Sequence, residues 1–139
     1  MNRDITEIVV HMPEALVNEL LQLLEECTVT IIRPPRSALV MMPLIDSFQS
    51  EFNLGEVLVT EAMVAVDNMN GYGMVIGDSP RRALARAAAT AVLKGENCQI
   101  REKVELLLIT QETKRKAELS REQSLTATTR VNFDLMAGA

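Results

Sequence analysis

"NGYGMVIGDSPRRALARAAATAV", residues 70–92, decides the fold. Three glycines stand ahead of a Ser-Pro pair and two arginines, and an alanine-rich segment follows. Such a stretch suggests either a phosphate-binding loop or a β-hairpin that leads into a well-capped helix. The spacing GxGxxxG is not the dinucleotide fingerprint, and no Lys-Ser/Thr pair follows as it does in a P-loop. We therefore interpret the stretch as hairpin, cap and docking helix.

The hairpin begins with the strongest strand pattern in the chain. "GEVLVTEAMVAVDN", residues 55–68, alternates imperfectly, as in a strand with one face in the core and the other partly covered. Asn70-Gly71 is a favoured pair for a tight turn, because both central residues need positive φ. "YGMVIG" then returns as the next strand. Gly73 lies inside it, where a bulge or close packing accounts for a glycine.

The helix that follows has clear start and stop signals. Ser79 is well placed as the N-cap, with Pro80 at the first helical position. Lys94-Gly95 closes the helix with a basic last turn and a glycine just beyond it. Four residues share one narrow face: Leu84, Ala87, Ala88 and Ala91. Small side chains there let the helix lie close against a sheet.

Upstream of the hairpin, the pattern predicts one helix and two short strands. "PEALVNELLQLLEEC", residues 13–27, has apolar residues at helical spacing, with Pro13 at the first helical position. "TVTIIR", residues 28–33, is β-branched, and the prolines that follow are expected to end it. "SALVMMP", residues 37–43, is a second apolar run, and residues 44–54 break the periodicity and are predicted to form a connecting loop.

Downstream, a further helix and a tail are predicted. The buried stripe of this helix is Ile100, Val104, Leu107, Leu108 and Gln111. The chain then turns polar and ends in "LTATTRVNFDLMAGA", a β-like apolar tail that a small domain does not need. Such a tail is either frayed or held by another subunit. Its candidate docking residues are Arg130, Val131, Phe133 and Leu135.

The predicted fold is a single α+β domain over residues 1–139. It has an N-terminal helix, an antiparallel β-meander of about four strands, two C-terminal helices and an extended tail from residue 130. A chain of 139 residues with 47% hydrophobic residues can bury a core of its own.

Composition excludes several functional classes. The net charge is −5, with three basic and eleven acidic residues in 1–67 and eleven basic and eight acidic residues in 68–139. This asymmetry suggests docking with other chains and argues against nucleic acid. No segment has the length of a membrane span or the pattern of a signal peptide, so a cytoplasmic protein is expected. Cys27 and Cys98 are then free thiols, and with His11 the only histidine, a His-based metal site is disfavoured.

Four residues form a candidate contact for an anion or a partner: Ser79, Arg81, Arg82 and Arg86. The arginines flank a helix N-terminus, whose free amides favour anions. They are open to three interpretations: a solvated polar face, a contact to a partner's carboxylate, or a phosphate contact. A catalytic role is not predicted, since Glu56 and Glu61 lie on opposite faces of one strand and cannot act as a carboxylate pair.

Three segments together resemble the PhnG family, the G subunit of the carbon–phosphorus lyase core complex. They are "FNLGEVLVTEAMV" at 52–64, "GYGMVIGDSPRRALARAAATAV" at 71–92 and "TRVNF" at 129–133. The resemblance implies a subunit that acts with the H, I and L subunits to replace the adenine of ATP by a phosphonate. The product with methylphosphonate is α-D-ribose 1-methylphosphonate 5-triphosphate.

The resemblance also implies partners and a division of roles. The G, H, I and J subunits form a stable core assembly, and the I subunit carries the nucleosidase-like chemistry. ATP is then a substrate of the complex, with no cofactor or catalytic residue expected in this chain. Departures from the family pattern are Asp78 for Arg, Leu84 for Glu, Thr90 for Asp, Asn132 for Asp and Ala137 for Arg.

Two alternatives to this subunit role stay open. One is a stand-alone anion- or nucleotide-binding module that uses the helix N-terminus at residues 79–86. The other is a structural homo-oligomer in which the apolar tail is exchanged between copies.

Overall fold

The structure, a computed structural model, describes the backbone of residues 4–137 and the side chains of residues 4–126. A 3-10 helix, Ile5–Val10, comes first. The remaining elements are α1 (Glu14–Leu24), β1 (Val29–Ile45), β2 (Glu51–Val66), β3 (Met69–Ile76), α2 (Pro80–Lys94) and α3 (Cys98–Ala137). The predicted α+β class, with an N-terminal helix, an antiparallel sheet and two C-terminal helices, is confirmed.

The described sheet has three strands in the order β1-β2-β3, where about four were predicted. The two short strands predicted at 28–33 and 37–43 are both part of β1, because Pro34 and Pro35 do not end it. The two prolines lie at a register shift between the pairs Arg33–Met63 and Arg36–Glu61. An edge strand tolerates proline at such an irregularity, since the missing N–H leaves no ladder bond unmade.

The connection between β1 and β2 is also shorter than predicted. Only residues 46–50 form a turn, and Phe52 and Leu54, which the sequence assigned to a loop, lie in β2. Asp46 closes this turn, since its Oδ1 accepts hydrogen bonds from the amides of Phe48 at 2.9 Å and Ser50 at 2.8 Å. The apolar pattern of 44–54 has no clear period, and the pairing between β1 and β2 makes strand ends of residues 44–45 and 51–54.

The tight turn between β2 and β3 lies at Asp67 and Asn68 rather than at Asn70-Gly71. Val66 pairs with Met69, and the two residues between them have φ of 49° and 70°. Asp and Asn tolerate positive φ better than most residues. This register puts Gly71 in β3, on the face that α2 covers. A turn at Asn70-Gly71 would have placed Gly71 in the turn itself, outside the strand that α2 covers.

Helix α2 lies directly on the inner face of the sheet. A Cβ atom on Gly71 or Gly73 would overlap backbone atoms of α2, so the helix and β3 approach each other almost backbone to backbone. The alanines of α2 permit this approach, as its small face predicts. The sheet contributes four core residues: Ala62, Val64, Val66 and Val75. The 3-10 helix, α1 and α3 complete the core, whereas most of the outer face of the sheet is exposed or half-buried.

Helix α3 has the predicted buried stripe and continues far beyond it. Ile100, Val104 and Leu108 are buried, and Leu107 and Gln111 are half-buried. The backbone stays helical to Ala137, so the predicted extended tail is instead the end of α3. The side chains of the tail residues Arg130, Val131, Phe133 and Leu135 lie outside those described. Within residues 4–137, no helix is long and apolar enough to cross a membrane.

Candidate functional site

The start of α2 is held by β2 rather than by its own N-cap side chain. Ser79 occupies the predicted N-cap position, and Pro80 follows at the first helical position, but the Ser79 hydroxyl makes no capping bond. Instead the buried hydroxyl of Thr60 donates to the Gly77 carbonyl at 2.6 Å and accepts from the Ser79 amide at 3.1 Å. One threonine on β2 therefore fixes where α2 begins.

Arg82 reaches across to the segment that joins the 3-10 helix to α1. Its Nη1 donates to the carbonyl oxygens of Val9 at 2.7 Å, Met12 at 2.5 Å and, more weakly, Val10 at 3.4 Å. Its Nη2 pairs with Oε1 of Glu14 at 3.0 Å, and only 12% of the side chain is exposed. Arg82 thus donates hydrogen bonds to carbonyl groups at and just beyond the end of the 3-10 helix, and its donors are used within the fold.

Arg86, one turn further along α2, joins three elements. Its Nη1 donates to the Met74 carbonyl of β3 at 2.7 Å, and its Nη2 lies 3.4 Å from Oδ2 of Asp4. Asp4 is also the N-cap of the 3-10 helix, where it accepts from the amide of Thr6 at 3.0 Å and from its hydroxyl at 2.6 Å. The Arg86–Asp4 pair therefore ties α2 to the beginning of the described chain.

The Asp4 carboxyl is stabilised in its charged form by this arrangement. Burial by itself would raise its pKa, but the two hydrogen bonds from Thr6 and the positive charge of Arg86 outweigh that effect. The pKa of Asp4 consequently lies below its ordinary value of 3.8.

The four candidate residues therefore do not converge on one point. Arg82 and Arg86 both turn towards the N-terminal segment, and the Ser79 side chain makes no bond at the helix start. Arg81 is exposed and makes no ion pair or side-chain hydrogen bond within the described part of the chain. The groups left to bind an anion at the start of α2 are the Arg81 side chain and the first-turn amides, which have no acceptors within the helix.

A second polar cluster, which the sequence analysis did not find, lies on the outer face of the sheet. Oε1 of Glu61 accepts from Nε of Arg36 at 2.6 Å, and Oε2 accepts from the Tyr72 hydroxyl at 2.6 Å. Arg36 stands directly opposite Glu61 in the β1–β2 register. Tyr72 pairs with Met63, so it lies diagonal to Glu61. The sequence prediction missed this cluster because it placed Arg36 between two separate strands, and only a continuous β1 sets Arg36 opposite Glu61.

The hydrogen bonds in this cluster shift the pKa values of Glu61 and Tyr72 in opposite directions. The Tyr72 hydrogen bond, followed by that of Arg36, holds the pKa of Glu61 below its ordinary range. The same hydrogen bond raises the pKa of Tyr72. Glu61 therefore stays ionised and Tyr72 stays protonated at neutral pH, so neither is poised as an acid or base there.

Three of the positions that depart from the family pattern have described side chains. Leu84 is half-buried and lines an apolar groove of about 340 Å³ together with Leu24, Cys27 and Ile31. The Thr90 hydroxyl donates back to the Arg86 carbonyl at 2.9 Å. Asp78 accepts from the Ser37 hydroxyl at 3.4 Å. Leu84, Thr90 and Asp78 thus each contact other residues of this chain.

Metal-ligating side chains do not gather anywhere in the described residues, where no three His, Cys, Asp or Glu side chains converge. Cys27 and Cys98 are both free thiols, as predicted. Burial, followed by the charges of Asp67 and Glu26, raises the pKa of Cys27, which disfavours the reactive thiolate. His11 is exposed, and partial burial and the charge of Arg115 lower its pKa.

Comparison with known proteins is decisive for the family. The chain matches the family described as "Phosphonate metabolism protein PhnG" over residues 2–138, which is nearly its whole length. Comparison with curated proteins gives no significant match. The match includes all three segments on which the resemblance rested, together with the α1 and α3 segments between and around them. This chain belongs to the PhnG family and has a role in phosphonate metabolism.

Proposed function

We propose that this chain is a non-catalytic subunit of the α-D-ribose 1-methylphosphonate 5-triphosphate synthase of the carbon–phosphorus lyase pathway. The observation that carries the proposal is the family match over residues 2–138. In the reaction, the bond from ribose C1′ to adenine breaks and a bond from a phosphonate oxygen to C1′ forms, so that adenine leaves. ATP is a substrate of the complex, and this chain binds no cofactor of its own.

The use of the charged side chains supports a non-catalytic role. Catalytic acids and bases need a pKa near the working pH and access to the substrate. Arg82 and Arg86 instead bind backbone carbonyls and carboxylates of their own chain. Asp4 and Glu61 are held ionised by such pairs, which lowers their pKa further from neutrality. These groups stabilise the fold and leave the chemistry to another subunit.

Uncovered apolar surface supports the role of a subunit. On the outer face of β3, Tyr72, Met74 and Ile76 are all exposed. Single exposed apolar residues are ordinary, but contiguous ones commonly mark protein interfaces. The partners that we propose are the I, H, J and L subunits of the carbon–phosphorus lyase system, in the cytoplasm, with the I subunit carrying the nucleosidase-like chemistry.

Anion binding by the start of α2 is the competing hypothesis. It has to rely on Arg81 and the first-turn amides, because Arg82 and Arg86 are engaged elsewhere. Calorimetry of the isolated chain with ATP and with pyrophosphate distinguishes the two hypotheses. A subunit without its own site gives no binding heat, whereas micromolar affinity that Arg81→Ala abolishes would favour the anion-binding module.

The proposed function is tested by co-expression of this chain with the H, I, J and L subunits of the carbon–phosphorus lyase system. Native mass spectrometry is expected to show a stoichiometric complex, and this complex is expected to release adenine from ATP only when a phosphonate is present. Omission of this chain should abolish that release. A monomeric chain that co-purifies with no other protein, or adenine release that is undiminished without it, would overturn the proposal.

A further inference from the structure

A two-stranded projection of the sheet carries a long run of exposed apolar residues. We define the β-arm as residues 37–45 of β1 and residues 51–58 of β2, joined by the turn at 46–50. The third strand pairs with β2 only from Val59 onwards, so the β-arm extends beyond it from Leu39, which pairs with Leu58. The seven strand residues from Leu39 to Ile45 reach about 23 Å.

The β-arm has no core of its own. None of its residues is buried, and only Ala38 and Val57 are even half-buried. Ten of its residues are large, apolar and exposed: Leu39, Val40, Met41, Met42, Leu44, Ile45, Phe48, Phe52, Leu54 and Leu58. A two-stranded ribbon is only marginally stable in water by itself. The β-arm therefore leaves uncovered the kind of surface that protein interfaces cover.

Both faces of the β-arm are apolar. Along β1, Leu39, Met41 and Ile45 point to one face, and alternate residues such as Val40 and Leu44 point to the other. A strand with one face in water normally alternates between apolar and polar residues. Apolar residues on both faces indicate that both become covered, which needs a groove or clasp rather than a flat surface.

The edges of the β-arm are poorly suited to pairing with another strand. Pro43 removes an N–H from β1 within the β-arm, and Pro34 and Pro35 do the same near its base. On β2, Leu54 is a bulge between the paired residues Asn53 and Gly55. Prolines and bulges are devices that prevent edge-to-edge addition. The partner is thus expected to contact the faces of the β-arm and not to extend its sheet.

Charge selects the kind of partner. Residues 37–58 contain Asp46, Glu51 and Glu56 and no Lys or Arg. Two β-arms packed together would bring six carboxylates to one interface, and the whole chain carries a net charge of −5. Like charges at an interface disfavour association, whereas a basic rim favours it and steers it.

From these observations we propose that the β-arm is the docking element of this chain, and that its occupant is a different protein chain whose apolar groove has a rim of Lys and Arg. The inference rests on the proposed function only in taking this partner to be another subunit of the same complex.

The first test compares hydrogen exchange of the isolated chain with that of the chain in the co-expressed complex. The amides of residues 37–45 and 51–58 should exchange rapidly in the isolated chain, because the β-arm is marginally stable. In the complex their exchange should slow by about tenfold or more. A complex that forms with unchanged exchange in the β-arm would overturn this inference and leave the proposed function intact.

The second test uses a matched pair of variants. Leu39 lies on the β-arm with 63% exposure, and Leu106 lies on α3 with 69% exposure, so neither Leu39→Asp nor Leu106→Asp should unfold the domain. Leu39→Asp is expected to weaken the complex by about thirtyfold or more, as for an interface hot spot. Leu106→Asp should leave the affinity within about threefold. Equal effects of the two variants would contradict docking through the β-arm.

The charge argument has its own variant, Glu56→Lys. A basic rim predicts that this reversal weakens the complex at low salt and that the difference fades as salt screens it. Unchanged affinity at low salt would overturn the proposed rim. Self-association of the wild-type chain that Leu39→Asp alone abolishes would overturn the choice of partner in favour of a second copy. Failure of the wild-type chain to bind any co-expressed protein would overturn both proposals.

Discussion

The carbonyl oxygen of Ala87 occupies the space where a Cβ atom on Gly71 would have to lie. The amide nitrogen of Ala87 and the carbonyl oxygen of Ala83 stand in the same relation to Gly73. Helix α2 therefore crosses β3 at a distance that only glycine on the strand and alanine on the helix allow. The glycines that could suggest a phosphate loop are packing residues.

Gly71→Ala is expected to destabilise the protein strongly. The new methyl group meets backbone atoms of α2, which cannot rotate away, so the helix must move off the sheet. Overpacking of this kind costs about 1–3 kcal/mol, and a backbone clash lies at or above the upper end. Urea denaturation measures the free energy of unfolding of this variant.

Gly95→Ala is the control for Gly71→Ala. A Cβ at Gly95 would make ordinary contacts, the nearest being 3.4 Å from the Val92 carbonyl oxygen. Its free energy of unfolding should stay within about 0.5 kcal/mol of the wild-type value. If both alanine variants were equally stable, the close crossing of α2 over β3 would be wrong.

Arg82→Ala is expected to destabilise the protein more than Arg81→Ala. The Arg82 guanidinium serves three carbonyl oxygens and the Glu14 carboxylate, and its loss leaves those carbonyls without a donor in a partly buried site. We expect a loss of about 2–4 kcal/mol. Thermal unfolding of both variants measures the difference.

Arg81→Ala serves as the matched control, because Arg81 is exposed on the same turn of α2. Its effect on stability should be below about 0.5 kcal/mol. Arg82→Lys should recover only part of the loss, because an ammonium group cannot match the planar fork of donors. A stable Arg82→Ala variant that had lost affinity for an anion would favour the anion-binding hypothesis instead.

The elements that the sequence predicted correctly are those with local signals. Ser79 and Pro80 mark the start of α2, and Gly95 marks its end, where the structure has it. The alanine face and the buried stripe of α3 follow from a helical period within one segment. Such signals need no knowledge of what packs against the segment.

The errors arose where a distant segment decides the outcome. Pro34 and Pro35 end a strand by the local rule, yet β1 continues because it is an edge strand paired with β2. Asn70-Gly71 is the better turn pair by propensity, yet the approach of α2 requires Gly71 on the inner face.

The partners of the candidate arginines could not be read from the sequence for the same reason. Arg82 binds Val9, which is 73 residues away along the chain, and Arg86 binds Asp4 at a separation of 82. Neither contact has a signature in the residues around the arginine. The outer cluster of Glu61 and Tyr72 also depends on register, which becomes readable only when the turn is placed correctly.

Asp4 predicts a specific dependence of stability on pH. Its pKa is lower in the folded protein than its ordinary value of 3.8, so the folded state favours the charged form. The resulting stabilisation is fully present above the unfolded pKa and is lost as pH falls through the folded pKa. Asp4→Asn keeps a capping oxygen for Thr6 but removes the charge that pairs with Arg86.

Urea denaturation at about pH 7 and about pH 2.5 checks this dependence. The wild-type chain should be more stable than Asp4→Asn at the higher pH, and the difference should be smaller at the lower pH. Glu19→Gln, which removes an exposed carboxylate from α1, controls for a general effect of charge. In addition, Arg86→Gln should raise the pKa of Asp4 measured by NMR. A difference of equal size at both pH values would show that the charge is not its source.

Loss of the Thr60 hydroxyl is expected to destabilise the protein more than loss of the hydroxyl of Ser79, the N-cap residue of α2. Thr60→Val removes the one hydroxyl that bonds both the Gly77 carbonyl and the Ser79 amide, and leaves both groups unpaired. We expect a loss of about 1–3 kcal/mol in the free energy of unfolding. Thr60→Ser retains the hydroxyl and should lose less.

Ser79→Ala, by contrast, should cost less than about 0.5 kcal/mol, although removal of an N-cap serine typically costs about 1 kcal/mol. The reason is that the Ser79 side chain makes no capping bond at the start of α2. Urea denaturation of the three variants side by side ranks the two residues. If Ser79→Ala were as damaging as Thr60→Val, the Ser79 hydroxyl would cap α2 in solution, and the start of the helix would be set by its own sequence rather than by β2.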